Sequence, residues 1–296
     1  MSTENTIPSI LITGSKGQLG HELQGLSYTH AWKSYKFFLT DADTLDITKN
    51  DQVELFFKNN RINCVINCAA YTGVDNAESE PEVAMEVNAR AVELLVAACS
   101  AAGASLFHVS TDYVFDGSSS VPYREDDPCN PVSVYGKSKL EGEKAVLGYE
   151  RGTVVRSSWL YSPMGKNFFT TIHKLASERN QLNVVYDQVG TPTYARDLAR
   201  ILLMMADMTL SGKDTDLSGL FHYSNEGVCS WYDFALEIIG MSGQHCEISP
   251  IETSQYPLPA ARPHFSVLNK TKIRSALSVT IPHWKESLKS CVNLLD

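Results

Sequence analysis

The chain lacks the marks of several protein classes. Its cysteines (Cys64, Cys68, Cys99, Cys129, Cys229, Cys246 and Cys291) number seven and contain no C-x-x-C pair. An odd count without that spacing suits neither a disulfide framework nor a zinc ribbon, so they read as buried, reduced thiols. The eight histidines show no H-x-x-x-H or other ligand spacing, and no metal site is expected from them. Long apolar runs are missing too, all falling far short of the roughly 18 residues that a membrane span needs. Residues 1–9 have no basic and apolar leader layout, so a cytoplasmic protein without a membrane partner is expected. Lysine and arginine are scarce, 25 against 34 acidic residues, for a net charge of -9. That balance excludes a basic nucleic-acid footprint but still allows a diphosphate-bearing small molecule held by local groups. What is present is apolar material, 43% of 296 residues with only 20% charged. This is enough to bury a large core in one big domain or two interlocked ones.

The first half alternates short β-branched or apolar runs with longer amphipathic stretches, the rhythm of an α/β, doubly wound parallel sheet of Rossmann type. Strands are expected at 9–13, 36–40, 64–68, 105–110 and 153–156, with helices beginning near Gln18, Asn50, Pro81 and Val134. In the third helix Val83, Val87, Ala91, Leu94, Leu95 and Ala98 recur at three- and four-residue steps and predict one apolar face. Beyond about Tyr161 the rhythm changes to a smaller C-terminal α/β region. Helices are expected at 167–178 and 194–205, a strand at 182–186, and further regular pieces at 220–223, 231–239, 246–251 and 283–295. Residues 211–218 and 254–262 read as loops. The expected division is a dinucleotide-binding domain at 1–160, returning with part of 180–225, and an interleaved, mainly substrate-binding region at 161–296.

After the strand-like S-I-L-I-T comes G-S-K-G-Q-L-G, with Gly14, Gly17 and Gly20 spaced G-x-x-G-x-x-G at the opening of a helix. Small residues let the backbone approach a pyrophosphate, whose charge is held by free N–H groups and the positive end of the helix dipole. Glycines alone mark any tight turn; the strand before and helix after favour a dinucleotide site. Asp41 follows Gly20 by 21 residues, at the end of the second strand, where a carboxylate can hydrogen-bond an adenosine ribose. Turn and helix-cap roles compete for Asp41, Asp43 and Asp46. Ala42 offers no positive charge to a 2'-phosphate, so NADH is expected to be accepted and a preference for NADPH is not implied.

Y-G-K-S-K places Tyr135 and Lys139 four residues apart on a strongly helical stretch, hence on one face and about 5–6 Å apart at Cβ. A tyrosine can protonate a carbonyl oxygen as hydride reaches the carbon. The expectation is that the ammonium draws the phenol from its usual value of about 10 towards neutrality, which takes roughly 4 kcal/mol for three units. Such pairs also occur on many solvated helices. Here the pair follows a strand ending in S-T-D-Y-V-F-D-G, which sets Ser110, Thr111 and Asp112 at the carboxyl edge of the sheet, where open α/β folds bind ligands. Thr111 is placed to hydrogen-bond the carbonyl or the tyrosine, or simply to end its strand.

Together these segments resemble the extended short-chain dehydrogenase/reductases and, more narrowly, the dTDP-4-dehydrorhamnose reductases. The likeness spans nearly the whole chain: L-I-T-G-S-K-G-Q-L-G, L-D-I-T, N-C-A-A-Y-T-x-V-D-x-A-E, S-T-D-Y-V-F-D-G, Y-G-K-S-K-L-x-G-E, R-S-S-W-L-Y, N-F-F-T-T, D-Q-x-G-x-P-T and R-P-H-F-S-V-L. The glycine turn and the Tyr/Lys pair carry only the broad superfamily; A-Y-T-x-V-D-x-A-E and R-P-x-x-S narrow it. The resemblance implies a catalytic trio of Thr111, Tyr135 and Lys139, with NADPH or NADH as hydride source. It places Gly17, Gln18 and Leu19 at the pyrophosphate, Asp41 at the ribose, Asp46 and Ile47 on the adenine side, and Ala70, Tyr71 and Thr72 along the cofactor's middle. It implies that Thr111, Asp112 and Trp159 contact a dTDP-linked deoxysugar, with Arg262 near it. Core packing competes for Trp159, and a structural ion pair for Arg262. The implied reaction reduces the C4 ketone of dTDP-4-dehydro-beta-L-rhamnose. Some members bind magnesium between subunits through glutamates, which has no mapped position here; a homodimer is the assembly to test.

Two other functions stay open at this point, a different nucleotide-sugar reductase or epimerase and a non-catalytic dinucleotide-binding regulatory subunit. Retention of Thr111, Tyr135 and Lys139 opposes the second. His108, inside a strand, reads as packed or hydrogen-bonded rather than catalytic. Asn88 interrupts an apolar helix, and a buried amide there must find partners; it either orients the active-site helix or caps a local kink. Glu78, Glu80, Glu82 and Glu86 read as solvated helix charge. The stretch 27–36 is longer and more aromatic than the family pattern, leaving the loop near the adenine open.

Overall fold

The computed structural model describes residues 7–213 and 216–295. The leader reading over 1–9 and the loop expected at 211–218 therefore lie partly outside the described residues. Strands β1 (Ser9–Thr13), β2 (Lys36–Thr40), β3 (Cys64–Asn67), β4 (Ser105–Thr111) and β5 (Gly152–Ser157) fall within a residue or two of the expected runs. Helices α1 (Gln18–Ser27), α2 (Asn50–Asn59), α3 (Val74–Ser79), α4 (Pro81–Met85), α5 (Ala91–Ala102) and α6 (Val134–Leu147) alternate with them. Then come the two-residue β6 (Leu160–Tyr161), α7 (Phe168–Glu178), β7 (Gln181–Val185), β8 (Val189–Gly190), β9 (Thr193–Tyr194), α8 (Ala195–Leu210) and β10 (Gly219–His222). The chain closes with β11 (Cys229–Ser230), α9 (Trp231–Ser242), β12 (Glu247–Ile251), α10 (Thr271–Leu277) and α11 (Trp284–Val292).

Six strands form one parallel sheet in the order β10-β5-β4-β3-β1-β2. The reversal between β1 and β3 is the switch point at which such sheets open a crevice at their carboxyl edge. The period-two alternation of β1 serves both faces. Ile10 and Ile12 pack with Leu19, Leu23, Leu198 and Leu202 of α1 and α8, while Leu11 packs with Val53, Val92 and Leu95 of α2 and α5. Each such buried aliphatic side chain contributes roughly 1.5–3 kcal/mol. Within 180–225, α8 and β10 join this sheet, whereas β7 pairs with β12 in a separate ribbon. A second core gathers Tyr161, Phe169, Ile172, Phe234, Ile238, Trp284 and Leu288 around that ribbon.

Two local expectations are corrected. The third helix is not one regular helix, because a wide π-turn spans Glu86–Arg90 between α4 and α5. The extra residue in that turn rotates the buried face onto Ala84, Asn88, Ala91, Val92, Leu95 and Cys99, leaving Val83 exposed. The aromatic stretch 27–36 lies away from the carboxyl edge, since Lys36 pairs with Ser9 at the start of both strands. Its Trp32 and Tyr35 pack on the α1/α8 core, and the Tyr35 hydroxyl donates to Asp207 of α8 at 2.5 Å. The expected loop at 254–262 opens on the end of a short 3-10 turn, Thr253–Gln255.

Candidate active site

The glycine turn is shaped by close backbone approach. Gly14 has φ +66°, and a Cβ there would stand 2.6 Å from the Ala69 amide nitrogen. Gly17 caps α1 without a side-chain hydrogen bond, and the first turn carries no acidic residue, so no side chain offsets the positive end of the helix at Gln18 and Leu19. Gly20 lies against the Gly14 carbonyl. This cradle fits a pyrophosphate. At the end of β2 the Asp41 carboxylate accepts from Lys16 N and Ala42 N, both 2.9 Å, which ties this strand end to the glycine turn. Asp46 closes a local turn on Thr48, and Ile47 is buried in the core beneath.

Ala70, Tyr71 and Thr72 run along the rim between β3 and α3. Tyr71 is clamped at its main chain: its N–H donates to Asn88 Oδ1 at 2.9 Å, and its carbonyl accepts from Asn88 Nδ2 at 3.0 Å. Asn88 Nδ2 also donates to Ser138 Oγ of α6 at 3.0 Å. The asparagine thus sits in the π-turn but spends its side chain on Tyr71 and on Ser138 of α6, which matches the helix-orienting alternative rather than the capping one. Gly142 makes the approach feasible, since a Cβ there would meet the Asn88 carbonyl at 2.1 Å. The glutamate run is solvated, as expected, and it also makes contacts: Glu78 accepts from Val134 N at the start of α6, Glu80 accepts from the Tyr71 hydroxyl, and Glu82 and Glu86 both grip Arg90. These carboxylates are solvated yet engaged, because α3 and α4 fold back beside α6.

Tyr135 and Lys139 lie on the inward face of α6, both buried, with Lys139 only 2% exposed. Ser133 caps the helix on Gly136 N, and Glu143, one turn beyond the lysine, forms a buried ion pair with Arg156 of β5 at 2.7 Å. The phenol adjoins Thr111 at the end of β4, and its ring meets that of Tyr113 edge-on at 5.5 Å. Thr111 Oγ1 donates to Asp112 Oδ1 at 3.1 Å. Burial pushes the Asp112 carboxyl up to about 6. The expectation that the tyrosine is drawn towards neutrality is not met. Burial pushes it up to about 12 against the opposing hydrogen bond with Thr111, and burial lowers Lys139 to about 8. The lysine amine donates to the Val109 carbonyl at 2.7 Å, so its hydrogen bond goes to the strand.

The group that follows β5 is aromatic. Trp159 stands between β5 and β6 at φ +47°, a backbone conformation an aromatic residue adopts only when its surroundings enforce it. Its carbonyl accepts from Thr193 N, and its indole lies 3.5 Å from that of Trp231 at an interplanar angle of 6°. Phe168 extends the group, 4.4 Å from Trp231. Arg262 makes a two-pronged pair with Asp75, at 2.9 and 2.7 Å, so the structure takes up the ion-pair alternative. That pair joins the A-Y-T-x-V-D-x-A-E segment to the R-P-x-x-S segment. Asn67, His108, Ser138 and Trp231 were not singled out as site residues from sequence. Asn67 and His108 left one signal, as polar residues at buried positions of otherwise apolar parallel strands. No group of three or more His, Cys, Asp or Glu among the described residues could hold a metal ion.

A glycine cradle at the switch point, with a buried Tyr/Lys pair across the same carboxyl edge, defines the short-chain dehydrogenase/reductase class on a Rossmann-type sheet. The sequence profile described as RmlD substrate binding domain matches residues 8–296, and the chain belongs to that family. A curated dTDP-4-dehydrorhamnose reductase of Aggregatibacter actinomycetemcomitans is 40% identical over 95% of this chain and 97% of its own length. Among solved structures, a dTDP-4-dehydrorhamnose reductase from Clostridium acetobutylicum ATCC 824 is 42% identical with a TM-score of 0.91, covering 97% of this chain and 99% of that one. One from Bacillus anthracis str. Ames, in complex with NADP, is 34% identical with a TM-score of 0.91, covering 98% and 100%. No helix among the described residues is long and apolar enough to cross a membrane.

Proposed function

We propose that this protein reduces the C4 ketone of dTDP-4-dehydro-beta-L-rhamnose to dTDP-beta-L-rhamnose, using NADPH or NADH. The observation that carries the proposal is the buried Tyr135/Lys139 face beside Thr111, across from the Gly14 to Gly20 cradle. The kinship with dTDP-4-dehydrorhamnose reductases supplies the substrate. The nicotinamide supplies the hydride. Gly17, Gln18 and Leu19 hold the pyrophosphate by their main chain, Asp41 the ribose, and Asp46, Ile47 and Ala70 to Thr72 line the remaining length.

The chain's own chemistry is proton supply. A phenol raised to about 12 is fully protonated at neutral pH, as a donor to a forming alkoxide must be. Tyr135 gives its proton to O4, and the phenolate recovers one from the Lys139 ammonium, whose amine is then reprotonated from solvent. Thr111 steadies the phenol, and Asp112 and Trp159 hold the sugar. Residues 161–296 supply most of the sugar pocket, and Arg262 acts through Asp75 by closing the C-terminal segment over α3. The test is cofactor oxidation with dTDP-, GDP- and UDP-linked 4-keto sugars. Turnover is expected with the dTDP sugar and lost in Tyr135→Phe; a preference for the GDP sugar overturns the substrate, and equal rates in the two proteins overturn the mechanism.

A further inference from the structure

Behind the lysine lies a chain of buried groups that the proposed mechanism does not use. Asn67 ends β3 with 1% exposure, and His108 sits in β4 with none. The orientation of the Asn67 amide is set by a group that cannot turn: the Ala69 main-chain N–H donates to Asn67 Oδ1 at 3.2 Å, and the Thr13 hydroxyl donates to the same oxygen at 2.6 Å. The amide nitrogen therefore faces the imidazole, donating to His108 Nδ1 at 3.0 Å. A neutral imidazole carries one proton, so an accepting Nδ1 leaves it on Nε2. That Nε2 lies 3.2 Å from Lys139 Nζ. An ammonium offers only donors and cannot receive this N–H; a neutral amine can accept it while donating to the Val109 carbonyl.

We propose that His108, held in its Nε2–H form by Asn67, is a positioning residue that presses Lys139 towards the neutral amine and so makes it titrate near working pH. The proposal rests on the proposed role of Lys139 in proton supply. A permanently charged lysine could polarise the phenol but would surrender its proton reluctantly; one poised near neutrality both gives and retakes it. His108 is not itself on the path to solvent, because its far nitrogen is closed off by the Asn67 amide and its ring is buried. Burial holds the imidazole well below its usual range, and the Lys139 charge acts in the same direction, so it stays neutral. The other titratable groups facing the lysine are Cys68, after β3, a thiol raised by burial, and Glu143 on α6, whose charge favours the ammonium but is shared with Arg156 of β5.

Three measurements test this. In the intact protein at neutral pH, 15N NMR of labelled histidine is expected to find His108 protonated at Nε2; protonation at Nδ1 overturns the proposal without touching the catalytic reading. Removing the opposing N–H in His108→Leu is expected to raise the pH at which Lys139 titrates by about one unit. The shift is read both from 13C-labelled lysine and from the alkaline limb of kcat/KM, and an unchanged midpoint in the folded variant overturns it. Should His108→Leu fail to fold, Asn67→Asp serves. Its carboxylate accepts from Nδ1–H, turns the Nε2 lone pair to the ammonium, and is expected to shift the midpoint upward, an unmoved one counting against the proposal. If Tyr135→Phe keeps full turnover, the catalytic reading fails, while the tautomer and the lysine titration remain measurable by NMR.

Discussion

The two walls of the proposed site, one assigned to the cofactor and one to the sugar, are built from opposite materials. On the cofactor wall β4, the π-turn and α6 are locked by buried polar groups with defined partners, Asn88 to Tyr71 and Ser138, and Lys139 to Val109 and His108. On the sugar wall Trp159, Trp231 and Phe168 stack face to face or tilted, with packing in place of hydrogen bonds. Hydrogen bonds are directional and costly to leave unmade, so the first wall holds atoms to one position. Aromatic packing is broad, so the second selects a shape and tolerates adjustment.

Substitutions can break or sharpen that contrast. The largest effect is expected for Tyr135→Phe, a fall in kcat on the order of a thousandfold with an unchanged unfolding midpoint, measured by cofactor oxidation and thermal unfolding. Next comes Asn88→Ala, which strands the Tyr71 main chain and Ser138. It should cost about 2–4 kcal/mol in urea unfolding, and a loss under half a kcal/mol would mean that the cofactor wall does not depend on its polar network. The pH profile follows: the folded-state value of Lys139 lies at about 8, below the ordinary 10.5, so its protonated form is lost as pH rises through 8. Turnover should then drop about tenfold per unit on the alkaline side, and a flat profile to pH 10 would remove the lysine from proton supply. Trp231→Leu, on the other wall, forfeits a stack of about 1 kcal/mol and should raise KM about fivefold with kcat nearly unchanged. Smallest of all is Glu82→Gln, which removes one arm of a solvent-exposed pair with Arg90 and should leave both the melting temperature and the rate unmoved.

The glycine turn and the Tyr135/Lys139 face were far more legible than the aromatic group around Trp159, for reasons visible in single residues. Gly14, Tyr135 and Lys139 declare themselves by spacing within one strand-turn-helix or one helical turn, and short-range geometry is what spacing encodes. Trp231 comes 72 residues after Trp159, and nothing local in either announces a stack. Arg262 and Asp75 are further apart still, and although an ion pair was one reading of Arg262, nothing local names Asp75 as its partner. The third helix was misread in detail because a π-turn adds a residue without altering composition, so Val83 and Val87 keep a helical period that the backbone does not follow. The phenol was misread because the ammonium was weighed without the burial, and burial is a property of everything packed around α6.

By itself the sequence determined the strand-helix alternation, the glycine turn and the face shared by Tyr135 and Lys139, since each depends on backbone sterics or periodicity within a few residues. Only the tertiary structure decided which partners the buried polar groups take, which way burial shifts Tyr135, Lys139 and Asp112, and which aromatics gather around Trp159. Desolvation and long-range contact do not exist until the sheet is assembled and water has left.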